Sequence, residues 1–264
     1  MKAFKHHQVS KTLTVFLLAT MLLGMAPTSP VLAGPEPPVT PRGFDQAQPN
    51  LVQHSATGKV SFLSVDASAP ISTGAGLRAF DANGYENSAR LFLSEHGELF
   101  GLRDQREELQ MLRQSSLENG RQFVRFQQTY NGVPVMAVEL NVQMDEDGNV
   151  ITVNGEILPD LVLSTDPQFS ADEIASQARQ LAADYLGMEV DLVSVSEPEL
   201  VIYSPQLLES RDGEARLAWQ LSATVEGLPV GYRMVLDANT GDSLMAYEES
   251  WNALSVRIYD DGNA

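Results

Sequence analysis

The chain has 264 residues, 35 Asp and Glu against 17 Lys and Arg, a formal net charge of −18 and no cysteine. A field of that sign disfavours nucleic acid and anionic membrane as partners. Without disulfides an exported chain of this size must be held by ordinary hydrophobic cores, which excludes a stapled mini-protein.

Residues 1–33 read as a signal peptide. Lys2, Lys5 and Lys11 precede an apolar run from Leu13 to Met25, and Val31 and Ala33 place small residues where a signal peptidase cuts, before Gly34. The run is short for a bilayer span, helix-breaking Gly24, Pro27 and Pro30 lie close by, and no cysteine is available for a lipid anchor. The expected product is therefore secreted, extracellular or periplasmic, and free of the membrane after cleavage. Cleavage would leave 231 residues with 14 Lys and Arg against 35 Asp and Glu, a net of −21. That length suits two small domains or one larger one. Residues 34–84 read as a leader and poorly defined segment: GPEPPVTPRG is extended, and from Phe44 to Gly84 small and polar residues leave one plausible strand, Lys59 to Val65.

From there one phrase occurs twice. GVPVMAVELNVQMDEDGNV (132–150) and GLPVGYRMVLDANTGDSL (227–244) each open on glycine, an apolar residue, proline and valine, alternate, and close on an acidic turn. In the first copy the order is a helix around Asn87 to Phe100, a short strand near Leu109 to Leu112, the strand RQFVRFQQTY, the turn NG and an alternating strand. Val138, Leu140, Val142 and Met144 share one face there, opposite Glu139, Asn141 and Gln143, and DEDGN turns the chain into Val150 to Ile157. In the second copy Ser170 and Glu173 form a capping box. Ile174, Ala178, Leu181, Ala182 and Tyr185 share one helical face, and Gly187 stops the helix. Strands follow at Glu199 to Tyr203 and Leu217 to Val225, where Leu217, Trp219, Leu221, Ala223 and Val225 oppose Ala218, Gln220, Ser222 and Thr224. Val230, Tyr232, Met234 and Leu236 come next, and DANTGD reverses the chain toward Leu244 to Tyr247. The expected fold class is α+β: two tandem layers, each a helix covering an antiparallel meander with one apolar face. Such meanders leave open strand edges that are either protected or used by a partner.

No constellation for catalysis is legible, and no catalytic, cofactor-binding or metal-binding residue is assigned. His54 and His96 are the histidines beyond the export segment; neither has a second histidine four residues away, so no HExxH helix exists. SEHGE around His96 reads as a solvated polar face. No GxSxG elbow occurs, and no Asp or Glu sits alone inside an apolar run where burial would raise its pKa for a carboxylate hydrolase. Asp145, Asp147, Asn149, Ile151, Val153 and Glu156 fall at calcium-loop spacing, but Gly148 comes two places early and the flanks are strand-like. A hairpin turn is the better reading, and in DANTGD the side chains of Asp237 and Asn239 can bond their own backbone.

These residues resemble a known family. ARLFLSEHGELFGL followed by FVRFQQTYNGVPVMAVELNVQMDEDGNV looks like the propeptide module of fungalysin and thermolysin-type zinc metallopeptidases, whose Gln-x-Tyr and GVPV are here Gln128, Tyr130 and Gly132 to Val135. Residues 170–248 resemble the PepSY module that follows it, most specifically in the turn from Asp237 to Gly241, and VRIYDDGNA at 256–264 is similar to the opening of a peptidase domain. On this resemblance 85–160 is the propeptide-like module, 165–249 the PepSY-like module, and 250–264 a junction with the start of a peptidase domain. The resemblance implies a non-catalytic propeptide region that acts as intramolecular chaperone and inhibitor of a thermolysin-like zinc metalloendopeptidase, its partner being the peptidase catalytic domain, in cis or in trans after cleavage. Gln128, Tyr130 and Pro134 are equally compatible with purely structural roles. The competing expectation is a stand-alone secreted PepSY-type protein that binds and inhibits proteases around it.

Overall fold

Alternating apolar and polar residues between Gln122 and Val153 require adjacent strands to share one buried face. The computed structural model meets that requirement in an α+β fold and describes Phe44 and residues 48–74, 84–225 and 230–250. Residues 1–43, 45–47, 75–83, 226–229 and 251–264, on which the expected signal peptide, leader, second hairpin turn and junction fall, lie outside the described residues.

Strands β1 (Asn50–Gln53) and β2 (Val60–Ser64) form an antiparallel hairpin. Helix α1 (Gly84–Phe100) and the single turn α2 (Gln105–Glu108) precede β3 (Leu109–Ser116), β4 (Gln122–Tyr130), β5 (Val133–Met144) and β6 (Val150–Gly155). Strand order in this first layer is β1-β2-β6-β5-β4-β3, antiparallel throughout. The strand expected at Lys59 to Val65 is β2, and it lies against β6 through Leu63 and Val153. β1 was not foreseen: NLVQ is short and largely exposed, so it carries no periodic signal. Ala89, Phe92, Leu93 and Phe100 of α1 pack with Val124, Phe126, Leu140, Val142 and Met144 of the sheet, and all are buried. Glu139, Asn141 and Gln143 lie on the other face, as the alternation requires. The β4–β5 turn is Asn131–Gly132, with φ of 51° and 82°. Positive φ at both central residues matches the right-handed strand twist, which explains the Asn-Gly pair.

Strand β5 is not uniform. Gln127 pairs with Glu139 and Thr129 with Pro134, so on β4 Gln128 alone faces the β5 segment from Val135 to Val138. This wide bulge shifts the phase: Val135 is buried before it, and Val138, Leu140, Val142 and Met144 after it. Ala137 takes a φ of 57° within it, a left-handed conformation that costs a residue bearing a Cβ roughly 1–2 kcal/mol. The Gln127 side-chain amide offsets that cost by donating into the loop, to the carbonyls of Val135 at 2.7 Å, Val138 at 2.8 Å and Gln128 at 3.1 Å.

The second layer follows. Helix α3 (Ala171–Leu186) begins in the expected capping box, Ser170 and Glu173 each accepting from the other's backbone N–H, and ends at Gly187 in the left-handed region with φ 65°. A 3-10 turn (Val190–Leu192) leads to β7 (Val193–Val195), β8 (Glu199–Tyr203), the short α4 (Pro205–Leu208), β9 (Arg216–Val225), β10 (Val230–Asp237) and β11 (Ser243–Ser250). β7 and β8 lie in line along the same edge of β9, and β10 and β11 continue on its other side. Ile174, Ala178 and Ala182 of α3 cover Leu221, Ala223, Val225, Met234 and Leu236. Two expectations are corrected here. The sheet has apolar residues on both faces, because Ala218 joins Val201, Tyr203 and Val235 in a separate buried cluster opposite the helix. Tyr185 shares the predicted helical face but stands 78% exposed at the helix end.

The two layers are continuous. Val135, just before the bulge, pairs in parallel with Ile202 of β8, so one path of strands runs β1-β2-β6-β5-β8-β9-β10-β11. Met136, turned aside by the bulge, packs on the cluster around Tyr203.

β6 ends on a position that only glycine can occupy. Gly155 has φ 138°, and a Cβ there would sit 2.0 Å from the Glu139 carbonyl oxygen. Gly155→Ala is expected to destabilise the fold by on the order of 3 kcal/mol, through strain and displacement of β5. Thermal denaturation with a Tm near that of the wild type would contradict this close approach.

Candidate functional site

The side chains that carry the family resemblance are architectural. Gln128 is buried, its Oε1 accepts from the Leu158 N–H at 2.8 Å, and its Nε2 donates to the Leu158 carbonyl at 2.8 Å. That two-way bond fixes the chain leaving β6 against β4. Tyr130 closes the hairpin opposite Val133 and packs on the first core, while Pro134 pairs with Thr129 beside the bulge. Around Gln128 and Tyr130 lies a polar cleft of about 230 Å³. Within it Arg103 pairs with Asp160 at 2.6 Å, Glu108 accepts from the N–H groups of Arg103 and Asp104, and Asp104 accepts from the Arg106 N–H.

The acidic loops are turns whose carboxylates are engaged locally. Asp145 Oδ1 accepts from the N–H groups of Asp147 at 3.0 Å and Asn149 at 2.8 Å, while Oδ2 accepts from the Asn149 side chain at 2.9 Å. Ile151 and Val153, at calcium-loop spacing, are paired residues of β6. Asp237 does the same in the second layer, accepting from Asn239 and Thr240 N–H groups at 2.8 and 3.1 Å, and its other oxygen faces Arg216 at 3.4 Å. Each turn thereby binds its own backbone, as Asx turns do. Among the described residues no three of His, Asp and Glu converge as a metal site.

The histidines stand apart. His54, in the β1–β2 loop, faces Glu156 at 3.3 Å. His96 is not on the solvated face expected of it; it is buried, its ring stacked 4.7 Å from Phe44 and tilted at 49° against Phe92 at 4.9 Å. The polar neighbours in SEHGE hid this position. Burial pushes the His96 pKa down, and the Glu95 carboxylate opposes that only in part.

α3 overhangs β10 and β11 at its C-terminal end, leaving a groove of about 250 Å³ lined by Leu181, Tyr185, Tyr232, Met234, Ala246 and Tyr247, with Glu248 the one charged lining residue. The Tyr185 and Tyr232 rings meet edge to face at 5.5 Å, and Tyr185 and Tyr247 are 78% and 44% exposed. Burial raises the Tyr232 pKa, with Glu248 and Tyr185 acting in the same direction. The 3.6-residue periodicity placed Tyr185 on the apolar face but could not show that the sheet ends beneath it.

Comparison with known proteins meets this geometry at β3 to β6. Residues 107–157 match the Fungalysin/Thermolysin Propeptide Motif. That propeptide motif covers β3 to β6 in full, with the Gln127–Gln128 pair and the bulge inside it, and it is a non-catalytic module. Curated relatives agree with the resemblance to thermolysin-type propeptide regions. A bacillolysin of Brevibacillus brevis is 27% identical over 128 residues, covering 47% of this chain and 23% of the relative. A bacillolysin of Bacillus subtilis subsp. amylosacchariticus is 27% identical over 167 residues, 60% of this chain and 30% of the relative. A thermolysin of Alicyclobacillus acidocaldarius subsp. acidocaldarius is 27% identical over 169 residues, 62% of this chain and 29% of the relative. The chain thus spans less than a third of the length of these relatives. Among solved structures, the Bacillus megaterium YpeB C-terminal domain aligns with a TM-score of 0.33 at 17% identity, covering 77% of this chain and 89% of that one. No helix among the described residues is long and apolar enough to cross a membrane.

Two measurements check this account of the motif layer. Gln128→Leu leaves the Leu158 N–H and carbonyl buried without partners and is expected to cost roughly 2–4 kcal/mol in chemical denaturation, whereas a loss under about 0.5 kcal/mol would show the bond to be dispensable. An imidazole with a lowered folded pKa binds its proton better in the unfolded chain. Its contribution to stability is therefore complete above the usual value of 6.5 and is lost as pH falls from there toward the depressed folded value. His96→Phe, which keeps the ring stack, is expected to flatten the dependence of Tm on pH below 6.5; parallel profiles for the two proteins would refute the burial argument.

Proposed function

We propose that this chain is the propeptide region of a secreted, thermolysin-like zinc metalloendopeptidase, and that it acts as intramolecular chaperone and inhibitor of the catalytic domain. The observation that carries the reading is the propeptide motif at residues 107–157, set among relatives named bacillolysin and thermolysin. In this reading 1–33 direct export, 85–160 and 165–249 are the propeptide-like and PepSY-like modules, and 250–264 lead into the peptidase.

Physical chemistry supports the assignment. A large protease must form slow, non-local contacts and cross a high barrier, and a prefolded sheet can template part of that surface and raise the rate. The same interface blocks turnover if a strand edge or loop lies across the cleft as a non-productive peptide. The acidic field suits a neutral or basic protein surface and disfavours nucleic acid.

Added in trans at micromolar concentration, the purified chain is expected to slow peptide cleavage by a mature thermolysin-like peptidase and to raise the yield of active enzyme on refolding from denaturant. Failure of both effects at high micromolar concentration would overturn the assignment. A reading frame that continues past Ala264 into HExxH and a downstream glutamate would favour action in cis over a stand-alone inhibitor.

A further inference from the structure

The outer edge of β11 combines an open strand edge with an adjacent apolar groove. It pairs with β10 from Leu236 to Val230, and among the described residues it has no second neighbour. Among the described residues its outward N–H and carbonyl groups have no strand partner. Edges are usually blunted by proline, charged side chains, bulges or covering loops; SLMAYEES has no proline or lysine, and its bulge at Leu244 and its glutamates Glu248 and Glu249 leave the stretch from Met245 to Tyr247 plain. Beside this edge lies the groove under the end of α3, with Tyr185 exposed on it against Tyr232.

We propose that the β11 edge and the tyrosine-lined groove form a docking site for an extended, neutral-to-basic segment of a partner polypeptide. The segment adds as a strand beside β11, seats an apolar side chain against Tyr185 and Tyr232, and places Lys or Arg at Glu248. Strand addition draws affinity from main-chain hydrogen bonds and specificity from pockets for alternate side chains. The groove holds about 250 Å³, below the roughly 300–1,000 Å³ of small-molecule and cofactor sites, which suits a single side chain. Charge selects the occupant. Glu248 is the groove's one charged lining residue and the whole chain is at −18, so an acidic segment or a second copy of this chain is repelled. The inference goes beyond the propeptide reading, because it concerns a surface and the chemistry it accepts, whichever protein supplies the segment.

The test uses the purified chain and a fluorescein-labelled nine-residue peptide that alternates lysine and valine about a central phenylalanine. Saturable binding is expected, with slowed amide exchange along β11. Tyr185→Ala and Glu248→Lys are each expected to weaken it about tenfold, the loss typical of truncating a central anchor, while Tyr185→Phe binds as the wild type does. The same peptide with glutamate in place of lysine is expected not to bind. Both substituted side chains are exposed, so thermal melts of the variants should match the wild type. No saturable binding by the wild type, equal binding of the glutamate peptide, or variants that bind undiminished would each overturn the site. Inhibition of a mature thermolysin-like peptidase is read in parallel. Its absence with peptide binding intact defeats the propeptide reading alone, and its presence without peptide binding defeats the groove alone.

Discussion

The strand pairing that joins the two sheets sits at one bulge, clamped by the amide of Gln127. A strand of regular alternation would keep all of β5 within the first sheet. The extra residues between Val135 and Val138 break the phase and turn Met136 toward the second layer, and Val135 becomes the partner of Ile202. The left-handed Ala137 would be a liability if the loop were unsupported. Three carbonyls within reach of one side-chain amide make it the local minimum. That Gln127 and Gln128 fall inside the propeptide motif is then intelligible without chemistry, since one holds the bulge and the other holds the exit of β6.

The acidic composition has a matching division of labour. Asp145 and Asp237 are absorbed into turns, Glu173 into a helix cap, and Glu86 and Glu139 into pairs with Arg90 and Arg125. Acids on the exposed surface set the field met by an approaching partner. An acid-rich sequence therefore need not conceal a metal site: short Asx turns use the same residues at similar spacing.

Much of the architecture is legible in the sequence. Period-two runs placed β4, β5, β8 and β9, and the Asn-Gly pair, the Ser170 capping box and Gly187 fixed the boundaries between elements, because each rests on local backbone chemistry. What escaped was non-local. Nothing in NLVQ announces a strand, since β1 exists only because β2 offers it an edge. The bulge was invisible because GVPVMAVELNV alternates well enough on paper, and a donor ten residues away decides where the alternation slips. His96 was misplaced for a related reason: its flanking glutamates are solvated, yet the helix turns the imidazole itself toward Phe44 and Phe92. The candidate surface was half visible, with Tyr185 on the correct helical face and its exposure unreadable from periodicity.

The strand order also dictates a schedule for a chain that emerges from its N-terminus. The β1–β2 hairpin is made early but cannot dock until β6 has appeared, so the first layer stays open until the stretch around Gly155 is out. Once it closes, the segment of β5 ahead of the bulge is the seat to which β8 comes, bringing β9 to β11 with it. The second half of the molecule is thus laid down on a surface the first half has already finished, like a course of bricks on a cured one.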